Sequence, residues 1–566
     1  MRISFLFSKK EKKRFTYLII FSILVSLIEV IGISAIMPFI DISIDFQSIH
    51  QNIYYSYFYE KFGFSSEVEF AITFGLLLMV FYFFRGFANF IFTYQTNLFS
   101  QRIYSSITKK LFDKYLTMPY VNFTSYNLNF LSKNLVAEAN YISLISGSIL
   151  LVVSEFFVII MILTVLLAAN WKITLIFSLI LVIKLLLLGN TITSKIKKAG
   201  DRRLSAQNNL FELINRLLKN FKLIKLMKPQ DKVKLNNEFH LTVDEFAFAS
   251  ALNNIFGAMP RIILETIGFS MIVLFLVVLL YKSESDISFI LPTLSLFILS
   301  LYRLLPSVNR IVSSVNKIIF YRNSLKIIET QLDQTSENNG NNKIRFDDKI
   351  ELKDIFFKYE KNKILTNINL EIKKGEKVAF IGESGSGKTT LVDIVIGLLQ
   401  PTEGYIYIDG ELLSNSNIET WRSSVGYIPQ DTTLFDGSIS DNICFGREFN
   451  SKKIKDVLDK VNLLDFVKTK DGLDTMVGDN GVQLSGGQIQ RVVIARAIYD
   501  DPDIIVLDEA TSALDKKNES KILQEIFNST IDKTLIIISH NVKTLTFCDK
   551  IYEIKDQKLM QLSSNT

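Results

Sequence analysis

Apolar positions fall into two regimes along this 566-residue chain. Up to about residue 305 they gather in long runs almost free of charge. Beyond about residue 344 they come in short runs broken by glycine and acidic residues. The long runs lie near Phe15–Ile40, Val68–Thr93, Ile142–Ala169, Ile173–Leu188, Ile262–Tyr281 and Ile287–Leu305. About 20 helical residues cross the hydrocarbon core of a bilayer, so the pattern predicts six membrane-spanning helices, the fourth being the shortest. Buried helices of a soluble domain would be neither so long nor so many. The short runs predict strands alternating with helices, hence an α/β domain around a mainly parallel sheet.

Composition supports this division. Hydrophobic residues make up 48%, with 45 Phe, a bias toward membrane spans. The net charge of +6 matters less than its distribution. Arg2, Lys9, Lys10, Lys12, Lys13 and Arg14 precede the first run. Arg102, Lys109, Lys110, Lys114 and Lys133 lie between the second and third. Lys195, Lys197, Lys198, Arg202, Arg203 and Arg216 lie between the fourth and fifth. The Asp41–Glu67 connection carries one lysine, Lys61, among acidic residues. The positive-inside rule then places both termini in the cytosol. The first run is too long for a cleaved signal peptide. The two long basic connections are helical in pattern, which predicts membrane helices projecting into the cytosol, with short helices near Met118–Thr124 and Phe211–Leu218 positioned to touch the second domain. Ordinary loops are the alternative. Cys444 and Cys548 have neither metal spacing nor a disulfide framework.

Candidate chemistry begins at Gly382-Glu383-Ser384-Gly385-Ser386-Gly387-Lys388-Thr389, followed by Thr390. It fits G-x-x-x-x-G-K-[ST], preceded by a strand-like Lys377–Ile381 and followed by a helical run. The glycines let backbone N–H groups turn toward one anion, and the helix N-terminus adds positive potential. Lys388 can reach terminal phosphates and the Thr389 hydroxyl can bind Mg²⁺. ATP and Mg²⁺ are therefore the expected cofactors. Asp503–Glu509 is an apolar strand ending in two carboxylates, whose side chains point to opposite sides. Asp508 is assigned to the Mg²⁺ shell and Glu509 to the attacking water. Thr534–His540 is a similar strand ending in His540. Ser485, Gly486, Gly487 and Gln488, before another helical run, make a second anion site. The expected fold is an α-helical membrane domain over residues 1–330, a polar linker over 331–343, and an α/β P-loop nucleotide-binding domain over 344–566.

Leu484–Gln488 resembles the signature of ATP-binding cassette (ABC) proteins. The resemblance implies that this segment completes the nucleotide site of a second copy in a head-to-tail homodimer. It further implies an adenine platform at Tyr359, a Mg²⁺- and water-linking glutamine at Gln430, a switch histidine at His540 and a dimer-contact loop at Ser512–Asp515. Six spans followed by one cassette look like an ABC exporter half-transporter that hydrolyses ATP. An ATP-gated channel or regulatory subunit is the alternative of another class. The intact Glu509 and Leu484–Gln488 favour turnover.

Charges inside the spans bear on cargo. At about 1.5 Å per residue from each outer boundary, Arg85 lies roughly 26 Å inward, Arg303 roughly 24 Å, Arg261 roughly 30 Å and Lys184 roughly 20 Å. Facing inward, the arginines would form a ring of donors suited to phosphate or pyrophosphate. Arginines near helix ends also snorkel, and Arg261 can pair with Glu265. In Asp41–Glu67, Phe46, Ile49, Ile53, Tyr57 and Tyr59 suit either an external amphipathic helix or a plain loop. Ala258–Ile262, Ser285–Ser288, Leu301–Ile311 and Phe380–Gly385 resemble bacterial lipid-linked oligosaccharide flippases of protein N-glycosylation. That likeness implies ATP-driven transfer of a polyprenyl-pyrophosphate oligosaccharide from the inner to the outer leaflet of the bacterial cytoplasmic membrane. Export of another amphiphile, lipid A or a drug, is the nearest rival. No nucleic-acid partner is expected.

Overall fold

The computed structural model describes residues 7–282, 291–337, 339–360, 362–478, 481, 483–509, 527, 532–539 and 542–562. The chain divides into two compact units. One comprises Met1–Leu116 with Tyr126–Gln334, the other Thr117–Ser125 with Thr335–Thr566.

The first unit is helical. Its principal helices are α1 (Lys9–Ser34) and α2 (Glu67–Leu116). After α3 (Tyr120–Ser125), which belongs to the second unit, come α4 (Ala139–Lys219), α5 (Pro229–Lys282), α6 (Leu291–Phe320) and α7 (Arg322–Leu332). Ser8 caps α1, with the Ser8 side chain and Glu11 satisfying each other's backbone N–H groups. Among the described residues, Lys9–Ile44, Glu67–Leu116 and Leu128–Ala169 are long and apolar enough to cross a membrane.

The third and fourth apolar runs share the single helical run α4. The Thr174 hydroxyl donates to the Leu166 carbonyl at 2.8 Å, eight residues back. Eight residues of straight helix would separate them by about 12 Å, so the chain doubles back there. Helix α2 has 50 residues, about 75 Å of helix against a bilayer core of about 30 Å. Val30, Val158, Ile162, Leu166, Leu301 and Leu304 pack α1, α4 and α6 into one core. Gly200 brings backbones into contact: a Cβ there would lie 2.5 Å from the Phe320 carbonyl oxygen.

The Asp41–Glu67 connection folds into helices. Ile53–Phe62 is capped by Asn52 and closed by Gly63 at φ +63°. Ile49 is buried with Ile42 and Phe70, against which Tyr59 packs, while Ile53 and Tyr57 are exposed.

The second unit holds two sheets. The antiparallel sheet runs β2 (Asn362–Lys373), β1 (Lys349–Tyr359), β4 (Glu403–Ile408), β5 (Glu411–Leu412). The other runs β10 (Lys558–Leu562), β9 (Lys550–Lys555), β3 (Lys377–Ile381), β8 (Thr534–Ile538), β7 (Ile504–Asp508), β6 (Val425–Ile428). All pairs from β9 to β6 are parallel, and β10 closes the edge antiparallel. β7 and β8 are buried throughout, as their unbroken apolar sequences require.

Strand parity sorts side chains onto two faces. Ile504, Val506, Ile536 and Phe380 join the core that contains Leu391 and Val395 of the P-loop helix, α8 (Lys388–Val395). Ile505, Leu507, Leu535 and Ile537 join the core that contains Val492 and Val493 of α9 (Gly486–Ile498). The two helices therefore cover opposite faces of one sheet.

Described residues of the polar stretch expected to be a linker make specific hydrogen bonds. Gln331 is buried on α7. Glu337 accepts from Arg422 at 2.6 and 3.3 Å, and the Glu337 N–H donates to the Thr117 carbonyl at 2.7 Å. Arg422 also donates twice to the Gly397 carbonyl, at 2.9 and 2.7 Å, just beyond α8. Hydrogen bonds, rather than apolar packing, hold this segment, which is why hydrophobic periodicity does not reveal it.

Candidate functional site

The phosphate-binding loop follows from local chemistry. Gly382 has φ +144°, and a Cβ there would lie 2.5 Å from the Ile554 carbonyl oxygen. Gly387, at φ +103°, turns the chain into α8 in a left-handed conformation that other residues adopt at a cost. Lys388 folds back over the loop, its Nζ donating to the carbonyls of Gly382 and Glu383 at 2.8 Å each. Burial lowers the Lys388 pKa, offset by the nearby carboxylates Glu509 and Asp508. The Ser386 Oγ is buried without a hydrogen-bond partner, as suits a donor in an anion cradle. Thr389 and Thr390 begin the helix.

Parity places the two carboxylates. Asp508 ends β7 on the P-loop side, and Glu509 follows with its side chain turned elsewhere. The Tyr427 hydroxyl, on β6, donates to Asp508 Oδ2 at 2.8 Å. Gln430 Nε2 donates to Glu509 Oε2 at 2.7 Å. Asp508, Glu509 and Gln430, three of the four residues assigned to Mg²⁺ and water, thus meet at one strand end, as in the sheets whose carboxyl edges bind ligand. Thr389, Asp508 and the Gln430 side-chain carbonyl would offer an ion oxygen donors only. That set suits Mg²⁺, which takes few protein ligands and completes its shell with phosphate and water. Bound there, the ion would neutralise phosphate charge as the terminal bond breaks.

Three residues near this site are absent from the sequence reading. Tyr427 is one. Asp393 on α8 is another; burial first, and the Asp508 charge second, push its carboxyl up to about 7. The third is Tyr120 on α3. Burial raises its phenol, as do the adjacent Asp393, Tyr359 and Asp508. The connection between the second and third apolar runs therefore sends a side chain to the P-loop region. Asp393 was visible as a lone carboxylate within Leu391–Val395. Tyr427 shares the parity of Val425, and its partner is fixed only by sheet register.

Tyr359 ends β1 partly exposed, edge-on to Phe357 with ring centroids 4.9 Å apart. Ser485 caps α9, its hydroxyl accepting from the Gln488 N–H while Gln488 returns a bond at 2.9 Å. Gly486 and Gly487 form the first turn, where a Cβ would meet nothing within 4 Å. Because α8 and α9 lie on opposite faces, one chain does not bring Ser485 to its own P-loop. His540 and Ser512–Asp515 lie outside the described residues.

In the helical unit, Arg85 and Arg303 converge on one carboxylate. Arg303 Nε donates to Glu29 Oε2 at 2.8 Å, and its Nη2 joins the same oxygen. Arg85 reaches Glu29 at 3.7 Å, and Asn89 donates to Glu29 at 3.3 Å. Arg303 also lies 3.6 Å from Glu155, which pairs closely with Arg310. The side chains of Glu29 and Glu155 are only 5% and 4% exposed. Arg85 and Arg303, two of the three arginines expected to line a headgroup site, thus stand with Arg310 in a paired cluster of three arginines and two carboxylates joining α1, α2, α4 and α6. Glu29 is the sole charged residue of the first apolar run, and Glu155 that of the third. Ionisable groups within spans mark functional sites by default, so the signal was present. Arg261 lies on α5, its side chain, like that of Lys184, outside the described residues.

Comparisons with known proteins bear on both units. Residues 15–304 match the ABC transporter transmembrane region family, and residues 365–512 match the ABC transporter family. "ATP-dependent lipid A-core flippase" of Francisella tularensis is 27% identical over 478 residues, covering 82% of this chain and 78% of that protein. "ABC transporter B family member 2" of Dictyostelium discoideum is 39% identical over 38% of this chain, but that match spans only 16% of the relative. "Heterocyst differentiation ATP-binding protein HepA" of Nostoc is 41% identical over 35% of this chain and 33% of its own length. A solved bacterial Atm1-family ABC exporter with ATP bound has the same fold, with TM-score 0.76 and 20% identity over 98% of this chain and 95% of that one. A helical membrane region and an ATP-hydrolysing cassette on one polypeptide, matched over both parts, mean that this chain belongs to the ABC transporter family.

Proposed function

We propose that the protein is a homodimeric, six-span ATP-driven flippase. It moves an amphiphile with an anionic phosphate headgroup from the cytoplasmic to the outer leaflet of a bacterial inner membrane, with both termini in the cytosol. The favoured cargo is a polyprenyl-pyrophosphate-linked oligosaccharide. The observation that carries this reading is the convergence of Arg85 and Arg303 on Glu29, with Glu155 and Arg310 beside them. Three arginines against two carboxylates leave one excess positive charge among the helices, and guanidinium forks match phosphate oxygens. Arg261 is assigned to the same headgroup site.

The opposed placement of α8 and α9 supports the dimer. A P-loop needs the Ser485 edge of a second copy, and closure of two such sites supplies the stroke. Asp508 with Thr389 and Gln430 would hold Mg²⁺. Glu509, hydrogen-bonded to Gln430, accepts the proton of the attacking water, and His540 is assigned to the terminal phosphate. Tyr359 is assigned to the adenine.

Transfer of lipid A is the second reading, favoured by the similarity to the lipid A-core flippase. Both cargoes present phosphate. The test is reconstituted protein in liposomes, given a fluorescent polyprenyl-pyrophosphate glycan, lipid A or an uncharged drug. ATP-dependent transfer of the glycan, lost in Glu509→Gln and reduced at least about tenfold in Arg303→Ala, is expected. Transfer of lipid A alone would move the conclusion to the second reading. Transfer of the drug alone would overturn the headgroup role.

A further inference from the structure

The two buried carboxylates are the least expected members of the charge cluster. A site built only to hold an anion would not place Glu29 and Glu155 against its arginines. Both are almost removed from water, at 5% and 4% exposure, and each is the single charge of its apolar run. Their bonds are unevenly committed. Glu29 holds Arg303 through two donors and Arg85 only at 3.7 Å, beyond hydrogen-bond reach. Glu155 pairs with Arg310 through Oε1, while its Oε2 is buried with no hydrogen-bond partner. Arg303 is 12% exposed, Arg85 24% and Arg310 51%. The cluster is thus a buried pivot, Arg303, flanked by two more accessible guanidinium groups.

We propose that Glu29 and Glu155 are exchangeable counter-ions. They hold Arg85, Arg303 and Arg310 when no anionic headgroup is present, yield them to its phosphate oxygens on binding, and reclaim them on release. This inference rests on the proposed headgroup reading. Three uncompensated arginines in a low-dielectric interior would hold a phosphate too tightly to let it go. A carboxylate poised on the same donors competes at every step, so binding exchanges ion pairs rather than adding them. It also selects cargo, because an uncharged amphiphile cannot replace a carboxylate on Arg303. Glu155 Oε2 makes no hydrogen bond and lies 3.6 Å from Arg303, so Arg310 or Arg303 can swing between the two oxygens as a headgroup enters.

The test uses full-length protein in phosphatidylcholine liposomes, with ATPase activity titrated against undecaprenyl pyrophosphate and, separately, against uncharged polyprenol. Wild type is compared with Glu29→Gln, Glu155→Gln and the conservative Glu29→Asp and Glu155→Asp. Gel filtration and nucleotide trapping check that each variant is folded. The Gln variants should lower the half-saturating pyrophosphate concentration at least about tenfold and also lower the maximal rate. The Asp variants should fall nearer wild type, and the shift should be larger for the pyrophosphate than for polyprenol. If Glu29→Gln does not fold, Glu155→Gln carries the measurement alone. A wild type that responds while the Gln variants keep its half-saturation overturns the inference and leaves the headgroup reading intact. Gln variants that respond where wild type does not support the inference and overturn the cargo assignment. No response in any protein overturns both.

Discussion

Glu509 sits at φ +46°, a left-handed backbone that costs a glutamate about 1–3 kcal/mol. Its N–H bond to the Ile538 carbonyl at 3.0 Å and the Gln430 bond to its carboxylate hold it there. Replacing it by Gln keeps the shape and removes the proposed base. ATP turnover should fall about 10²- to 10⁴-fold while ATP is retained, as nucleotide trapping would report; turnover near wild type would remove Glu509 as base. Tyr427→Phe deletes a bond to Asp508 inside the site. It should weaken Mg²⁺ activation and cost about 1 kcal/mol of stability, readable from Mg²⁺-dependent ATPase and thermal unfolding.

Asp393 gives a pH signature. Its folded pKa of about 7 lies above the unfolded value near 3.9. Between these values the folded chain keeps a proton that the unfolded chain has lost. Stability from this residue therefore falls as pH rises from about 4 to about 7, at about 1.4 kcal/mol per unit. Asp393→Asn should flatten the difference in Tm between pH 5 and pH 8. An unchanged difference would exclude Asp393 as its source.

Among the elements, the segment after α7 is held by a few polar bonds. Arg422→Ala removes the Glu337 pair and both bonds to the Gly397 carbonyl, leaving that carbonyl without its side-chain donors and Glu337 with Asn339. A loss of about 1–3 kcal/mol is expected, readable from thermal unfolding. Gly200→Val would drive α4 from α6 at Phe320 and should lower Tm in detergent by several degrees. Local pattern made much of this legible. Apolar run length gave the helices, the glycines of Gly382–Thr389 marked the loop, and the unbroken apolar strand before Asp508 marked a parallel sheet. What stayed hidden depends on partners distant in sequence. Glu29 meets Arg303 only after α1 and α6 pack, and Glu337 meets Arg422 across 85 residues. Periodicity reports which face is apolar, not which polar group waits on the neighbouring element.

At the scale of the whole molecule, the proposed homodimer makes each nucleotide site a shared one. Lys388→Ala and Ser485→Arg chains should each be inactive alone. Mixed, they should recover up to about a quarter of wild-type turnover, since half of randomly paired dimers are mixed and one of their two sites is intact. No recovery on mixing would refute the shared site.

The same alternation of faces constrains how this gene can change. Substitutions from Ile504 to Leu507 that keep an apolar side chain preserve the strand, so its composition is free to drift. Insertion or deletion of one residue there would rotate everything beyond it by half a turn. Asp508 would then point at the α9 side and Glu509 at the P-loop. Between strand start and Asp508 the count is fixed even where the letters are not, so homologues should vary in β7 by substitution and never by a single-residue indel.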